Sequence, residues 1–164
     1  MYFCFKLTDM YELHTKQKLP ISVAEAWAFF SDPKNLREIT PTYMGFDILS
    51  GADRKVYAGQ IIRYTVKPLL GLKLNWATEI THVAPGQFFV DEQRFGPYAF
   101  WHHKHFLHPI EGGVEMEDWV HYKLPMGPLG QLAHAVFVRR QLQEIFDYRT
   151  EKLNSLFGTY TDKR

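Results

Sequence analysis

Histidines and acids recur at alternate positions in the middle of the chain. His103 and His105 are separated by one residue, and Asp91 and Asp118 lie in the strand-like segments on either side. Because side chains alternate between the two faces of a β-strand, His103 and His105 point to the same side. An imidazole beside a carboxylate can anchor the polar end of a ligand, transfer a proton, or stiffen a sheet as a hydrogen-bonded network. All three roles are open from the sequence.

The turn Glu111-Gly112-Gly113 predicts how two of these segments pair. A hairpin closed there is antiparallel, and its register decides which side chains share a face. Three pairs are expected to point inward: Trp101 with Tyr122, His103 with Val120, and His105 with Asp118. The turn at Gly96-Pro97 predicts two more inward pairs: Asp91 with His103, and Gln93 with Trp101. The opposite face of the same strands carries charged residues and is expected to meet water.

A sheet face that mixes aromatic rings, imidazoles and acids indicates a cavity with polar groups in it. The expected ligand-binding residues are Trp76, Phe89, Asp91, Gln93, Trp101, His103, His105, Asp118, Val120, Tyr122, Leu132 and Val136. The candidates for general acid/base chemistry are His103, His105, Asp118 and Asp91. The sequence does not show that any of these four residues is catalytic, so a binding protein is favoured over an enzyme.

The pair in His103-Lys104-His105 has the spacing with which some zinc and non-haem iron sites begin. No third ligand lies at a characteristic spacing in the sequence, so neither a metal nor another cofactor is expected. The chain has no Gly-x-Ser-x-Gly elbow and no glycine-rich phosphate loop after a strand. This argues against a serine nucleophile and against nucleotide chemistry.

Charge and composition narrow the classes of partner. The 164 residues carry a formal net charge of +1, so no strong field attracts nucleic acid, and 16% of them are aromatic. The single cysteine, Cys4, excludes an internal disulfide, and no apolar run reaches the roughly 18 residues of a transmembrane segment. A cytoplasmic protein is expected, with a small hydrophobic or amphipathic molecule as its partner. Homo-oligomerisation is left open.

The order of elements indicates an α+β domain. After a strand over residues 11–19, the capping box of Ser22 and Glu25 predicts a helix, and Asp32-Pro33 predicts a second short helix. Six further segments alternate as strands of an antiparallel meander: 44–49, 59–67, 72–83, 87–94, 98–109 and 114–124. The expected domain organisation is a leader at 1–9, one domain at 10–158 and a frayed tail at 159–164. Either Met1 or Met10 can be the start.

One long amphipathic helix is predicted from Pro128 to Phe157. Its apolar stripe, which includes Leu132 and Val136, is expected to lie on the sheet and to form the ceiling of the cavity. Its charged side chains, among them Arg149, alternate in sign along the helix and are therefore expected to face water.

The whole chain resembles the START-like helix-grip superfamily, also called the SRPBCC or pollen-allergen-like ligand-binding fold. Motifs similar to its bacterial branch labelled cell-division-inhibitor-related or uncharacterised are Tyr57-Ala58-Gly59-Gln60, Phe89-Val90-Asp91-Glu92-Gln93, Gly96-Pro97-Tyr98, and Trp101 with His103 and His105. The resemblance implies a curved seven-stranded antiparallel sheet wrapped around the long C-terminal helix, with two short helices between strands 1 and 2. It also implies a cavity for lipids, sterols, polyketides or other apolar molecules.

Members of this superfamily include both carriers and enzymes, so the fold does not decide the function. Binding of a small hydrophobic or amphipathic ligand, anchored by His/Asp pairs, is the first hypothesis. The alternatives are an enzyme of aromatase/cyclase, dehydratase or hydrolase type that uses a cavity His-Asp pair, and a protein-interaction module.

Overall fold

The computed structural model describes residues 10–69 and 71–161 of the chain. The strands within these ranges are β1 Tyr11–Leu19, β2 Asp47–Ser50, β3 Gln60–Leu69, β4 Leu72–Ala84, β5 Phe88–Phe95, β6 Phe100–Ile110 and β7 Gly113–Lys123. The helices there are α1 Val23–Phe30, α2 Pro128–Ala133 and α3 Arg139–Phe157, with short 3-10 helices at Pro33–Arg37 and Thr42–Met44. The expected leader, 1–9, and the end of the expected tail, 162–164, lie outside the described residues.

The described strands form one antiparallel sheet in the order β1-β7-β6-β5-β4-β3-β2. Apart from the pairing of β1 with β7, neighbours in the sheet follow one another along the chain. Tight turns make this possible: Gly112, between β6 and β7, has a φ of +71°, a conformation that glycine adopts at no steric cost. The result is the curved seven-stranded sheet that was expected.

Helix α1 begins where the capping box predicts. The Ser22 hydroxyl accepts from the Glu25 backbone N–H at 3.2 Å, and the Glu25 carboxylate accepts from the Ser22 N–H at 2.9 Å. The Asp32 side chain caps the next, 3-10 helix by accepting from the Lys34 N–H at 3.1 Å. Ala26 on α1 is fully buried, so α1 covers part of the core.

The C-terminal helix contains a π turn that the sequence did not predict. Residues His134–Val138 form this wider turn between α2 and α3. The helix therefore runs from Pro128 to Phe157 as expected, but not with one uniform geometry. No helix within the described ranges has the length and apolar character needed to cross a membrane.

The first part of the apolar stripe is exposed, which contradicts the expected position of Leu132 and Val136 in the cavity. Leu132 is 62% exposed and Val136 is 73% exposed. His134 faces the sheet instead: its ring stacks on Tyr11 at 3.4 Å, and its Nε2 lies 2.9 Å from the Tyr122 hydroxyl. Helical spacing shows that a helix has an apolar face, but not whether a neighbouring element covers that face.

Helix α3 contributes the buried part of the C-terminal helix. Its buried residues are Leu142, Phe146, Arg149 and Leu153, which fall on one helical face. On β7, buried residues alternate with half-buried ones from Val114 to Tyr122. The core therefore lies between the inner face of the sheet and this face of α3.

Candidate ligand-binding site

The strand register brings His103, His105, Asp91 and Asp118 to one face of the sheet. His105 lies opposite Asp118 and Asp91 lies opposite His103, as the turns predicted. Two further inward pairs are confirmed: Trp101 with Tyr122, and His103 with Val120. Because side chains alternate along a strand, the imidazoles and acids share the face that is turned toward α3.

One expected pair, Gln93 with Trp101, does not form. The ladder between β5 and β6 ends at Glu92 and His102. The Gln93 amide instead donates to the Tyr98 carbonyl at 2.7 Å, and its oxygen accepts from the Tyr98 N–H at 3.1 Å. Gln93 therefore holds the loop between the two strands and does not extend their pairing.

A cavity of about 210 Å³ lies between the sheet, α3 and the 3-10 helix at Pro33–Arg37. Much of its wall is apolar and includes Phe30, Ile62, Val66, Ile80 and Ile145. The sequence-predicted residues that line it are Trp76, Phe89, Asp91, Trp101, His103 and His105. The predicted residues outside its lining are Gln93, Asp118, Val120, Tyr122, Leu132 and Val136. Of these, Asp118, Val120 and Tyr122 are buried in the core.

Two histidine–aspartate hydrogen bonds form the polar end of the cavity. His103 donates from Nε2 to Asp118 Oδ1 at 2.9 Å, and His105 donates from Nε2 to Asp91 Oδ2 at 2.8 Å. The other nitrogen of His103 lies 3.5 Å from the same Asp91 oxygen. The two imidazole centroids are 3.7 Å apart. These four side chains form one connected unit, called the His–Asp cluster below.

Arg149 joins the His–Asp cluster, which contradicts the expectation that it faces water. Its Nη1 lies 3.3 Å from Asp118 Oδ1, and its side chain is only 8% exposed. The guanidinium also lies over the rings of Phe30 and Phe146, at 5.5 and 5.8 Å. The sequence did contain a signal, because Arg149 lies at helical spacing from Leu142 on the buried face of α3. Charge alternation alone misses this position.

Both carboxylates of the cluster are held in their ionised form. Burial alone would raise the pKa of Asp118, but the charge of Arg149 and the hydrogen bond from His103 outweigh burial and hold this pKa well below its usual range. Burial would also raise the pKa of Asp91, but the hydrogen bond from His105 and the charge of His103 outweigh it and lower the pKa. Arg149 compensates one of the two negative charges.

The two imidazoles hold protons differently. Burial lowers the pKa of His103, the neighbouring His105 lowers it further, and the hydrogen bond to Asp118 offsets this only in part. Burial acts on His105 as well, but the adjacent carboxylates of Asp118 and Asp91 outweigh it and raise the pKa of His105. His105 is therefore the preferred proton carrier of the cluster, and His103 is the neutral imidazole.

The part of the cavity wall that β3 and β4 form has satisfied polar groups. The Trp76 Nε1–H donates to Thr78 Oγ1 at 3.0 Å, and the Tyr64 hydroxyl lies 3.1 Å from the same oxygen. Trp76 stacks on Tyr64 at 5.8 Å and meets Trp101 edge-on at 5.4 Å. This wall therefore presents mainly aromatic surface, and its polar atoms are already hydrogen-bonded within the protein.

No family model matches the sequence, and the comparison with curated proteins finds no match. Solved structures do match. A protein from Chromobacterium violaceum has 14% identity and a TM-score of 0.69, over 91% of this chain and 99% of its own. Ara h 8.0201 has 16% identity and a TM-score of 0.59, over 89% and 99% of the two chains.

Major latex-like protein 151 from Panax ginseng has 8% identity and a TM-score of 0.62, over 90% of this chain and 97% of its own. Identities this low show the fold alone. The fold of this chain is the helix-grip α+β fold that these structures share.

Proposed function

We propose that this chain binds a small, mainly apolar molecule whose polar group meets the His–Asp cluster. The observation that carries the proposal is the cavity itself, whose aromatic and aliphatic walls end at one buried polar cluster. In sites of this kind, apolar walls supply most of the affinity and a few placed polar groups supply orientation. The resemblance to helix-grip proteins, which hold apolar molecules between sheet and helix, supports the same proposal.

The polar atoms of the cluster favour a ligand with an oxygen acceptor. Arg149 Nε is buried without a hydrogen-bond partner among the described residues. A buried donor left unpaired costs about 1–3 kcal/mol, so a ligand acceptor that reaches Arg149 Nε is favoured. Because Asp91 and Asp118 are both anionic, a hydroxyl or carbonyl oxygen suits the cluster better than a carboxylate does.

Calorimetric titration with three matched probes tests this proposal. The probes are p-butylphenol, butylbenzene and p-butylbenzoate, which share an apolar body and differ in the polar end. We expect one-to-one binding of p-butylphenol, about tenfold tighter than that of butylbenzene, which is the effect of one hydrogen bond of roughly 1.4 kcal/mol. Equal affinities for all three probes would contradict polar anchoring by the cluster.

Two tryptophan variants show where the probe binds. Ile145→Trp introduces a large ring from α3 into the cavity and is expected to abolish binding of p-butylphenol. Leu156→Trp is the matched control, because Leu156 is exposed near the end of the same helix and lies outside the cavity lining. Binding that survives in Ile145→Trp would place the probe elsewhere on the protein and contradict the proposal.

General acid/base catalysis is the second candidate, favoured by the two adjacent imidazoles of His103 and His105, whose ring centroids are 3.7 Å apart and whose pKa values shift in opposite directions. An imidazole with a lowered pKa can accept a proton from a bound molecule, and a neighbour with a raised pKa is the better donor. Hydrogen–deuterium exchange at the α-carbon of p-butylacetophenone, followed by NMR in heavy water, tests this proton transfer. Catalysis would be favoured if the wild-type chain accelerated the exchange and the His103→Gln variant did not. If the wild-type chain gave no acceleration, binding alone would be favoured.

The quoted motifs also support a finer proposal, that the chain belongs to the bacterial cell-division-inhibitor-related branch of the superfamily and works in the cytoplasm. These motifs include Phe89-Val90-Asp91-Glu92-Gln93, Trp101, His103 and His105, which contribute to the cavity and its cluster. A fluorescent fusion in bacterial cells tests the location, and diffuse fluorescence throughout the cytoplasm is expected. Fluorescence confined to the cell envelope would contradict it.

A further inference from the structure

We propose that Asp91, His103 and His105 bind a divalent transition-metal ion of the zinc or iron(II) class at the polar end of the cavity. One ligand atom from each of these residues lies within 4.8 Å of the other two. Two imidazoles and one carboxylate are a ligand set that proteins use for catalytic zinc and for non-haem iron(II). This inference goes beyond the binding of an organic ligand and does not depend on it.

The two separations between the Asp91 carboxylate and the imidazole nitrogens fit a single ion. Asp91 Oδ2 lies 2.8 Å from His105 Nε2 and 3.5 Å from His103 Nδ1. Ligand atoms at about 2.1 Å from one ion are about 3.0 Å apart in octahedral geometry and about 3.4 Å apart in tetrahedral geometry. These two separations lie close to both values, and the three ligand atoms together lie within 4.8 Å of one another.

The remaining ring nitrogens of both histidines are already supported by Asp118. His103 donates from Nε2 to Asp118 Oδ1 at 2.9 Å, and His105 Nδ1 lies 2.9 Å from the same oxygen. A histidine that binds a metal almost always directs its second ring nitrogen to a carboxylate or carbonyl, which fixes the ring orientation. Phe89 stacks on the His105 ring at 4.2 Å and Arg149 holds Asp118, so both rings are positioned in advance.

The charge of the cluster favours a cation. Once His105 gives up its proton to bind the ion, the carboxylates of Asp91 and Asp118 face the single positive charge of Arg149, and one negative charge remains for the ion to compensate. Excess charge in a buried site is costly unless it is paired. Asp91, His103 and His105 also line the cavity, so an ion bound by them would be reachable from it.

The sequence alone does not predict a metal site, because only the two histidines lie close together along the chain. Asp91 comes from the preceding strand, and only the antiparallel pairing of β5 with β6 places it opposite His103. The third ligand is therefore set by strand register, which a search for ligand spacing along the sequence does not detect.

Metal binding is measured on the full chain after treatment with a chelator and dialysis into metal-free buffer. Calorimetric titrations with Zn²⁺ and with Co²⁺ are expected to give one ion per chain. At a hundredfold excess over its Kd, Zn²⁺ is expected to raise the Tm by roughly 8 °C. X-ray absorption of the Zn²⁺ form is expected to show two imidazole ligands, a result that needs no variant.

Substitutions then assign the ligands. His103→Ala and Asp91→Ala are each expected to lower the Zn²⁺ affinity by at least about 100-fold, and Asp118→Asn by about 10- to 100-fold. His102→Ala is the matched control, because this adjacent imidazole lies on the opposite face, where its Nδ1 is 2.9 Å from a Glu92 oxygen. Circular dichroism of each variant separates loss of a ligand from loss of the fold.

Adventitious binding at the surface would give a different pattern. On the outer face, His14 and His108 contact Glu117 at 2.5 and 2.7 Å, and these side chains are an alternative place for an ion. The proposal would be overturned if the double variant His14→Ala/His108→Ala lost metal binding while His103→Ala retained it. It would also be overturned if the wild-type chain bound no ion, or if the X-ray absorption showed no imidazole ligand.

Discussion

Asp118 connects both imidazoles of the cluster to the guanidinium of Arg149. It is among the most buried polar side chains of the described residues, and its ionised form depends on these partners. A buried ion pair can be nearly neutral for stability, whereas removal of one partner leaves an uncompensated buried charge. Burial and the two carboxylates Asp118 and Asp91 together set the pKa shifts of His103 and His105, so the cluster behaves as one electrostatic unit.

Removal of the Arg149 charge is expected to destabilise the protein. Arg149→Met should lower the free energy of unfolding by about 3–5 kcal/mol, because Asp118 would remain buried without its cation. Arg140→Met is the control, since the exposed pair of Arg140 with Glu144 contributes about 0.5 kcal/mol or less. Urea denaturation measures both variants. Similar small losses in the two variants would show that Arg149 is solvated after all.

On the outer face, Glu117 is expected to stabilise the protein only above acidic pH. Burial raises the pKa of Glu117, but hydrogen bonds from His14 and His108 outweigh burial, and the net shift is downward. A carboxyl with a folded pKa below its unfolded value of about 4.3 adds stability above that pH and loses it as the pH falls through the folded pKa.

The variant Glu117→Gln tests the direction of this pH dependence of stability. Its loss of stability relative to the wild type should reach up to about 1 kcal/mol near neutral pH. That difference should shrink as the pH falls below about 4.3 and vanish below the lowered pKa of Glu117. Urea denaturation over this pH range measures the difference, and a difference that grows in acid would contradict the assignment.

At the scale of elements, local rules predicted the strands better than the packing of the helix. The alternation along β5, β6 and β7 and the turn residues between them fix the register, and the register places His105 opposite Asp118. The contact between a helix and a sheet is not local. A helical repeat does not show which turns have a sheet beneath them, so Leu132 was expected in the cavity and Arg149 in water.

Two leucine substitutions compare the exposed and buried parts of the C-terminal helix. Leu153→Ala is expected to lower the free energy of unfolding by about 2–5 kcal/mol, because Leu153 is fully buried and its truncation leaves a cavity. Leu132→Ala is expected to change stability by about 0.5 kcal/mol or less, because Leu132 is largely exposed. Thermal and urea unfolding measure both. A loss at Leu132 as large as that at Leu153 would show that another surface covers the exposed stripe.

At the scale of the whole molecule, an apolar cavity ends at one polar cluster. The order of elements predicted the fold, because each strand and helix carries its own pattern of apolar residues and turns. The cavity and its lining were only partly predictable, because the gap between α3 and the sheet depends on many side chains from distant elements at once. The helix-grip fold supplies the cavity, whereas the proposed recognition of a ligand's polar group depends on the His–Asp cluster.

NMR of chain labelled with nitrogen-15 in its histidine rings tests the central claim most directly. The ring signals of His103 and His105 report on the cluster, whereas those of His102 and His108 report on the other face of the sheet. Addition of p-butylphenol to the metal-free chain is expected to shift the His103 and His105 signals and to leave the His102 and His108 signals in place. Saturable binding with unchanged His103 and His105 signals would contradict the claim that the cluster meets the polar end of the ligand.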